Sequence, residues 1–355
     1  MNYFRSPQSR WTLLAVTAAL GGGGLLVSQE RAAFGVLASN VLMGKQDAGF
    51  YLVATNQLLR PWGEQWTMRG RPVEITMHSG GQMLAVLNSR GVHLLHSGTG
   101  TEVAQIASRS TSYTGLAFRP GGKELWASEA TRSGPDGILI ARLDATGRPQ
   151  GQAEHVALPG HPVPTGIAFS PDGSQAFVAM SDKNSIAVLD ADSHRILKEV
   201  PVGMVPWYVA ASAKRKQLYV SNRGGRRPVQ NEAIAYSSAV AVATDPTTGA
   251  TTTGTVSIVD MESLAERQIA VGLAPAGLAV SPDENTLAVA NAHSDSVTFI
   301  DLESLRAQEV KVPAYPAGSF GSTPSSAAFS PDGRTVYVTC GGSNSVAVLG
   351  VDSKG

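Results

Sequence analysis

Cysteine is all but missing from this chain: Cys340 stands alone among 355 residues. A single thiol excludes an intramolecular disulfide and any cysteine-built zinc cluster. Its place at the end of an apolar run marks it as a buried packing residue. An excess of charge is missing too. Lysine and arginine together number 28, as do aspartate and glutamate, which removes the electrostatic warrant for nucleic acid or an anionic membrane as partner. The one long apolar run, residues 11–27, is broken by the four glycines Gly21–Gly24 and is poor material for a membrane span. Catalytic signatures are absent as well: there is no Gly-x-Ser-x-Gly elbow, no phosphate-binding glycine loop and no His-Glu-x-x-His. The seven histidines are scattered, with no pair at metal-ligand spacing. The sequence therefore assigns no catalytic residue, no metal and no cofactor.

What is present begins with an export pattern. Arg5 and Arg10 precede the apolar run, the order of a positive n-region and an h-region. Residues 1–28 read as a signal peptide or N-terminal anchor and 29–49 as a linker, so the body, residues 50–355, is expected in the periplasm or outside the cell. No cysteine follows the run, which excludes a lipoprotein.

The body repeats itself. Pro164-Thr-Gly-Ile-Ala-Phe-Ser-Pro-Asp-Gly-Ser-Gln-Ala-Phe-Val-Ala-Met180 reads as a strand, a tight turn and a second strand. Related wording returns at residues 114–128, 206–222, 275–291 and 324–340, and faintly at 71–88. A third apolar run follows each clear copy. A strand-rich unit of about forty residues, repeated along the chain, is the signature of propeller blades. Within the first strands, Leu116, Phe118, Ile167, Phe169, Leu278 and Val280 fall on one side and Gly115, Ala117, Gly166, Ala168, Gly277 and Ala279 on the other. That division suits blades whose inner edges crowd together near an axis. In the Ser-Pro-Asp-Gly turns, proline presets φ, aspartate bonds its own backbone and glycine accepts positive φ. No further carboxylates follow at alternating positions, so these are not calcium loops.

Tyr219-Val-Ser-Asn222, Ala288-Val-Ala-Asn291 and Tyr337-Val-Thr-Cys340, each a fixed distance after the turn, resemble the YVTN-type β-propeller repeat family. The resemblance covers about residues 70–351 and implies blades of four antiparallel strands and an extracytoplasmic location. Ser221-Asn-Arg-Gly-Gly-Arg-Arg-Pro228 and Asp245-Pro-Thr-Thr-Gly249 are similar to a subgroup in which the propeller precedes a secreted phosphoesterase domain of the alkaline-phosphatase superfamily. Nothing here matches that catalytic domain. The resemblance thus implies the accessory propeller of a longer phosphoesterase.

The fold expected is all-β: six repeats of four-stranded blades plus an N-terminal hairpin from residues 50–55 and 65–69. The strand count suits a seven-bladed parent ring, incomplete here, with a six-bladed closure as the alternative. The fourth repeat is interrupted by residues 222–254, read as a long functional loop. Loops between first and second strands are nearly uniform, whereas the second–third loops and blade links are not, and binding concentrates on such variable rims. Candidate binding residues there are Arg223, Arg226, Arg227, Trp207, Tyr208, His161 and His293. Arginines among glycines suit a phosphate or carboxylate. The function expected is a binding or scaffold module whose partner is a protein, a glycan or a small anionic ligand. The alternative is a hydrolase or lyase with its site in the central channel.

Overall fold

The computed structural model describes residues 42–46, 49–53, 57–61, 63–132, 134–314 and 321–351. The export segment and most of the linker lie outside these residues. The chain divides into two units, Met1–Trp62 and Gly63–Gly355. The first contains a small sheet of Gly44–Lys45, Tyr51–Leu52 and Leu58–Leu59.

In the second unit each turn of the repeat joins antiparallel strands, and the strands assemble into six sheets, five four-stranded and the last three-stranded. The first blade is Pro72–Met77, Met83–Asn88, Gly91–His96 and Glu102–Ile106. The second is Leu116–Phe118, Glu124–Glu129, Gly137–Arg142 and Glu154–Ala157. The third is Pro164–Phe169, Gln175–Met180, Ser185–Asp190 and Ile196–Pro201. The fourth is Met204–Ser212, Gln217–Gly225, Gly254–Asp260 and Glu266–Val271. The fifth is Pro275–Val280, Thr286–Asn291, Ser296–Asp301 and Ala307–Lys311. The sixth is Pro324–Phe329, Thr335–Cys340 and Ser345–Gly350.

Each first strand of the second to fifth blades faces two neighbours, and the large/small division of its side chains decides which. Leu116 and Phe118 pack back onto Leu87, Leu94 and Val92 of the first blade, while Ala117 faces Trp126, Ile167 and Phe169. Ile167 and Phe169 likewise pack back, and Ala168 faces Val209, Leu218 and Val220 of the fourth blade. Five apolar cores fill the five seams between successive blades in this way. The faces that lack a neighbouring core show it: Ile75 and Met77 on the first blade, Tyr337, Val346 and Val348 on the last are exposed. Cys340 is buried in the fifth core.

The blades circle an axis, because inner strands far apart in sequence meet. Glu74 of the first blade faces the Tyr208 phenol of the fourth, and Tyr113 at the second blade's entry stacks on Trp207. The glycine column makes this closeness feasible. A Cβ on Gly166 would lie 2.6 Å from the backbone nitrogen of Val209, and one on Gly277 would lie 2.8 Å from Cα of Ser326.

Two expectations are corrected. Residues 65–69 form no strand. Asn88 draws that segment in with its side chain, donating to the Arg69 carbonyl and accepting from the Arg71 amide, both at 3.0 Å, so those groups need no ladder partner. The interruption at 222–254 is no plain loop either. The hairpin of the fourth blade extends to nine residues in each strand, and Ile234–Ser237 pairs with Val240–Ala243 in a second hairpin. Val240 and Val242 are buried against Met204 and Val205, which supplies the apolar contact a two-stranded ribbon needs.

Candidate ligand site at the blade entries

The variable rim is held by a repeated device that the sequence reading did not detect. Val163, Val205, Ala274 and Thr323, each directly before a proline, have φ of 50°, 54°, 50° and 51°. Three of the four are β-branched, for which positive φ is a true outlier that needs external support. A loop side chain of the preceding blade gives that support three times. Asp136 accepts the Val163 amide at 2.8 Å, Asn184 the Val205 amide at 2.8 Å and Asp295 the Thr323 amide at 2.9 Å. The fourth blade carries its insertion where this loop would be, and the fifth entry is held from its own blade, Ser294 accepting the Leu273 amide at 2.9 Å. Register shifts follow at Pro72/Glu74, Pro164/Ile167, Pro206/Tyr208, Pro275/Leu278 and Pro324/Ser326. Such bulges re-aim side chains at barrel rims and sites.

The bulges set one axial layer: Glu74, Gly115, Gly166, Tyr208, Gly277 and Ser326. Three glycines and a serine leave room, and the two large polar side chains fill it. Thr114 donates to the Glu74 carboxyl at 2.8 Å, the Gly115 amide donates to the same oxygen, and the Tyr208 phenol faces the carboxyl. Burial outweighs these donors and pushes Glu74 up to about 7 from its ordinary 4.5. Tyr208 is raised by the same burial and by the facing carboxylate.

Just ahead of this layer lies a second, with Trp207 one residue before Tyr208 and Tyr113 two before Gly115. Tyr113 and Trp207 stack with centroids 5.6 Å apart and 29° between planes, and the Arg223 guanidinium lies 4.7 Å from the Trp207 ring centre. Arg223 sits on the extension of the fourth blade's hairpin, where Gly225 pairs with Met204. Gly224 and Gly225 are required there: a Cβ would meet Val242 Cγ1 at 2.5 Å or the Thr253 backbone at 2.6 Å. Among the described residues Arg223 has no carboxylate partner. Burial lowers its proton affinity, which measures how poorly the site solvates its own cation. A stacked, half-dehydrated guanidinium with free N–H groups is a ready partner for an oxyanion.

The other candidates fall into place around it. His293 lies on the fifth blade's second–third loop, its Nδ1 3.4 Å from the Thr251 amide. Partial burial, then the Arg223 charge, hold it below its ordinary pKa. The structure therefore brings Arg223 onto Trp207, next to Tyr208 in the chain, and leaves His293 near enough to feel the Arg223 charge. Arg226 is taken out of the set by Glu232, which it grips with both terminal nitrogens. Arg227 and His161 are exposed, with Arg227 lending its carbonyl to Arg226 at 3.0 Å. Glu74 and Tyr113 are additions. Their signal was present in the sequence as the bulky exceptions in a column of glycines and at a blade entry.

Among the described residues, no group of three or more histidine, cysteine or carboxylate side chains could hold a metal ion. No helix is long and apolar enough to cross a membrane among them.

Comparison with known proteins agrees on the fold. Residues 229–354 match the family model described as YNCE-like beta-propeller. Hydrazine synthase of Kuenenia stuttgartiensis superposes with a TM-score of 0.63 at 19% identity, over 83% of this chain and 81% of that one. The Cps50 (Swd1) β-propeller domain of Myceliophteria thermophila gives 0.59 at 11% identity, over 84% and 88%. A chain of a mitotic checkpoint complex gives 0.59 at 15%, over 81% and 76%. No curated protein matches. Circling four-stranded sheets, cross-axis contacts and these likenesses together establish the chain as a β-propeller protein whose C-terminal third matches the YncE-like model.

Proposed function

We propose that this propeller is a binding module that takes a small anionic ligand, or an anionic group of a larger one, at the axial mouth of the blade-entry rim. The observation that carries it is Arg223, a partly buried guanidinium with no carboxylate partner among the described residues, stacked on Trp207. Proteins rarely leave a desolvated cation without an anion. The test is calorimetric titration of the chain with anionic and neutral small molecules, on wild type and Arg223→Gln. Anions binding only to wild type support the reading; equal binding by both proteins, or by neither, overturns it.

The wider setting is also our reading. The export pattern and the YVTN-like wording support an extracytoplasmic module, and the insertion's wording supports an accessory role beside a secreted phosphoesterase. Mass analysis of the mature chain from a periplasmic fraction checks the first. Co-purification with a metal-dependent phosphoesterase, or a reading frame encoding one in continuity, checks the second.

A second reading, an enzyme working at the axis, draws on Glu74, whose carboxyl is held near neutrality as an acid–base residue would be. Glycoside chemistry of that type needs a paired carboxylate, and among the described residues Glu74 is the sole carboxylate of the axial layer. Its acceptor oxygen is also already occupied by Thr114 and Gly115. The binding reading is therefore preferred.

A further inference from the structure

The second hairpin of the insertion has an edge that no described residue covers. Ile234–Ser237 pairs with Val240–Ala243 in the register Ile234↔Ala243, Ala235↔Val242, Tyr236↔Ala241 and Ser237↔Val240, and the Val240 strand is the one that lies against the blade. The Thr244 amide donates to the Ala233 carbonyl at 2.9 Å. Bonded and non-bonded pairs alternate along an antiparallel ladder, so Ala233, Ala235 and Ser237 turn their main-chain groups toward the Val240 strand. Ile234 and Tyr236 turn theirs outward, where none of the described residues meets them. Native sheets blunt such an edge with proline or charge, yet residues 233–244 contain neither. The side chains divide in the same way. Val240 and Val242 face Met204 and Val205, while Ile234 and Tyr236, on the opposite face, are 48% and 71% exposed. Val229, on the approach to the strand, is exposed as well.

The two ends of this strand carry opposite charge. Before its start Arg226 grips Glu232 with both terminal nitrogens. That leaves the exposed Arg227, which has no ion pair among the described residues, as the charge of that end. Past its finish Ser238 donates to Asp182 at 2.6 Å. Asp182 likewise has no cation among the described residues, since its neighbour Lys183 is held by Glu199 at 3.3 Å. We propose that this edge is a dimer contact whose occupant is the same edge of a second copy, antiparallel about a two-fold axis at Ala235. That axis sets Ile234 opposite the partner's Tyr236, where the two exchange both backbone hydrogen bonds and pack a β-branched side chain on an aromatic one. It also sets the Arg227 end of each copy opposite the partner's Asp182, twice over, as an isologous contact must. A parallel pairing would set like charge against like. Two short strands bury less than about 1,200 Å², so the dimer is a reversible one.

The experiment is sedimentation velocity of the full chain over concentrations from about 1 to 500 μM, the range in which a contact of this size dissociates. Wild type is expected to shift reversibly from monomer to dimer. Tyr236→Lys should raise the dissociation constant about tenfold or more, and Tyr236→Phe should leave it unchanged. Arg227→Glu and Asp182→Lys, each alone, set like charges together at both ends and should weaken self-association about tenfold. Mixed in equal amounts they restore opposite charges at both ends, and the mixture should return to the wild-type constant. Far-ultraviolet dichroism of each variant confirms that the fold persists. A chain that stays monomeric throughout would overturn the proposal and leave the edge to a strand of a different protein. A dimer indifferent to Tyr236→Lys would overturn it by placing the contact elsewhere. A mixture no stronger than either charge variant alone would overturn the antiparallel two-fold. The anion site at Arg223 stands or falls independently of all three.

Discussion

The two rims of the propeller use their charged groups in opposite ways. On the turn rim five aspartates are committed to their own loops. Asp172 accepts from Ser170 and Ser174, Asp283 from Ser281 and Asn285, and Asp190, Asp260 and Asp301 from the serines at 193, 263 and 304. Arg119 then stitches two blades together, donating to the Gly173 and Ala191 carbonyls and to Asp192. On the entry rim the loop carboxylates Asp136 and Asp295 prop up strained backbone, while Arg223 is left without an anion and Glu74 is kept near neutrality. One rim has spent its polar capacity on holding the blades. The other has some left over, and that surplus is where binding is expected.

The comparison breaks most sharply at glycine. Gly166 and Gly173 stand at opposite ends of one hairpin. A Cβ on Gly166 would lie 2.7 Å from Cα of Tyr208, against backbone that cannot yield, whereas on Gly173 the nearest atom is Pro120 Cβ at 3.3 Å. Gly166→Val should therefore cost more than about 3 kcal/mol and push Tyr208 out of the axial layer. Gly173→Ala meets mainly its own φ of +71° and should cost about 1 kcal/mol. Urea unfolding of both variants measures the difference, and equal losses would mean that the inner strands do not crowd at the axis.

The next effect is a dependence on pH. Glu74 is raised from 4.5 to about 7 in the folded chain, so the folded state resists its ionisation. Its contribution is complete below pH 4.5 and is lost as pH rises through about 7. With partial solvent screening the loss should be roughly 2 kcal/mol. Glu74→Gln keeps an acceptor for Thr114 and Gly115 and should flatten the unfolding free energy across that window. A wild-type profile already flat between pH 4.5 and 7 would remove Glu74 from the set of perturbed groups.

The turn rim has the opposite sign. Hydrogen bonds from Ser170 first, then Ser174, hold Asp172 down to about 2 from 3.8, so its stabilisation is present above pH 3.8 and is lost as pH falls through about 2. Asp172→Ala should lower the unfolding midpoint at pH 7 by the worth of a few exposed hydrogen bonds, about 1 kcal/mol, and make the acid limb shallower. It should leave the limb between pH 4.5 and 7 intact, since that limb belongs to Glu74.

Blade architecture was legible because it is written many times over. Each Ser-Pro-Asp-Gly turn and each large/small alternation repeats the same instruction, and the apolar cores follow it strand by strand. The hairpin at Ile234–Ser237 and Val240–Ala243 was hidden because its stability comes from Met204 and Val205, contacts that no local pattern records. Residues 65–69 carried strand-like composition, yet Asn88, remote in sequence, claimed the Arg69 carbonyl and the Arg71 amide just beyond. At the rim, Arg223, Trp207 and His293 could be singled out as loop residues with recognition chemistry. Their grouping, the separation of Arg226 from them and the role of Glu74 depend on which blades face each other across the axis, and that is a property of the assembled blades.

The smallest effect is the most discriminating for the site. Arg223 and Arg226 are three residues apart on one extension, and composition alone does not tell them apart. Arg226 is exposed enough that its ion pair with Glu232 is a surface interaction, and such pairs contribute little. Arg226→Ala should leave both the unfolding midpoint and the affinity for inorganic phosphate unchanged within error, because its charge is already neutralised by a neighbour that a ligand would have to displace. Arg223→Ala should abolish phosphate binding with little change in stability, since the guanidinium it removes had no carboxylate partner to lose among the described residues. A loss of binding in Arg226→Ala equal to that in Arg223→Ala would mean that the loop acts as a diffuse positive patch, and the stack on Trp207 would then be packing rather than the organising element of the site.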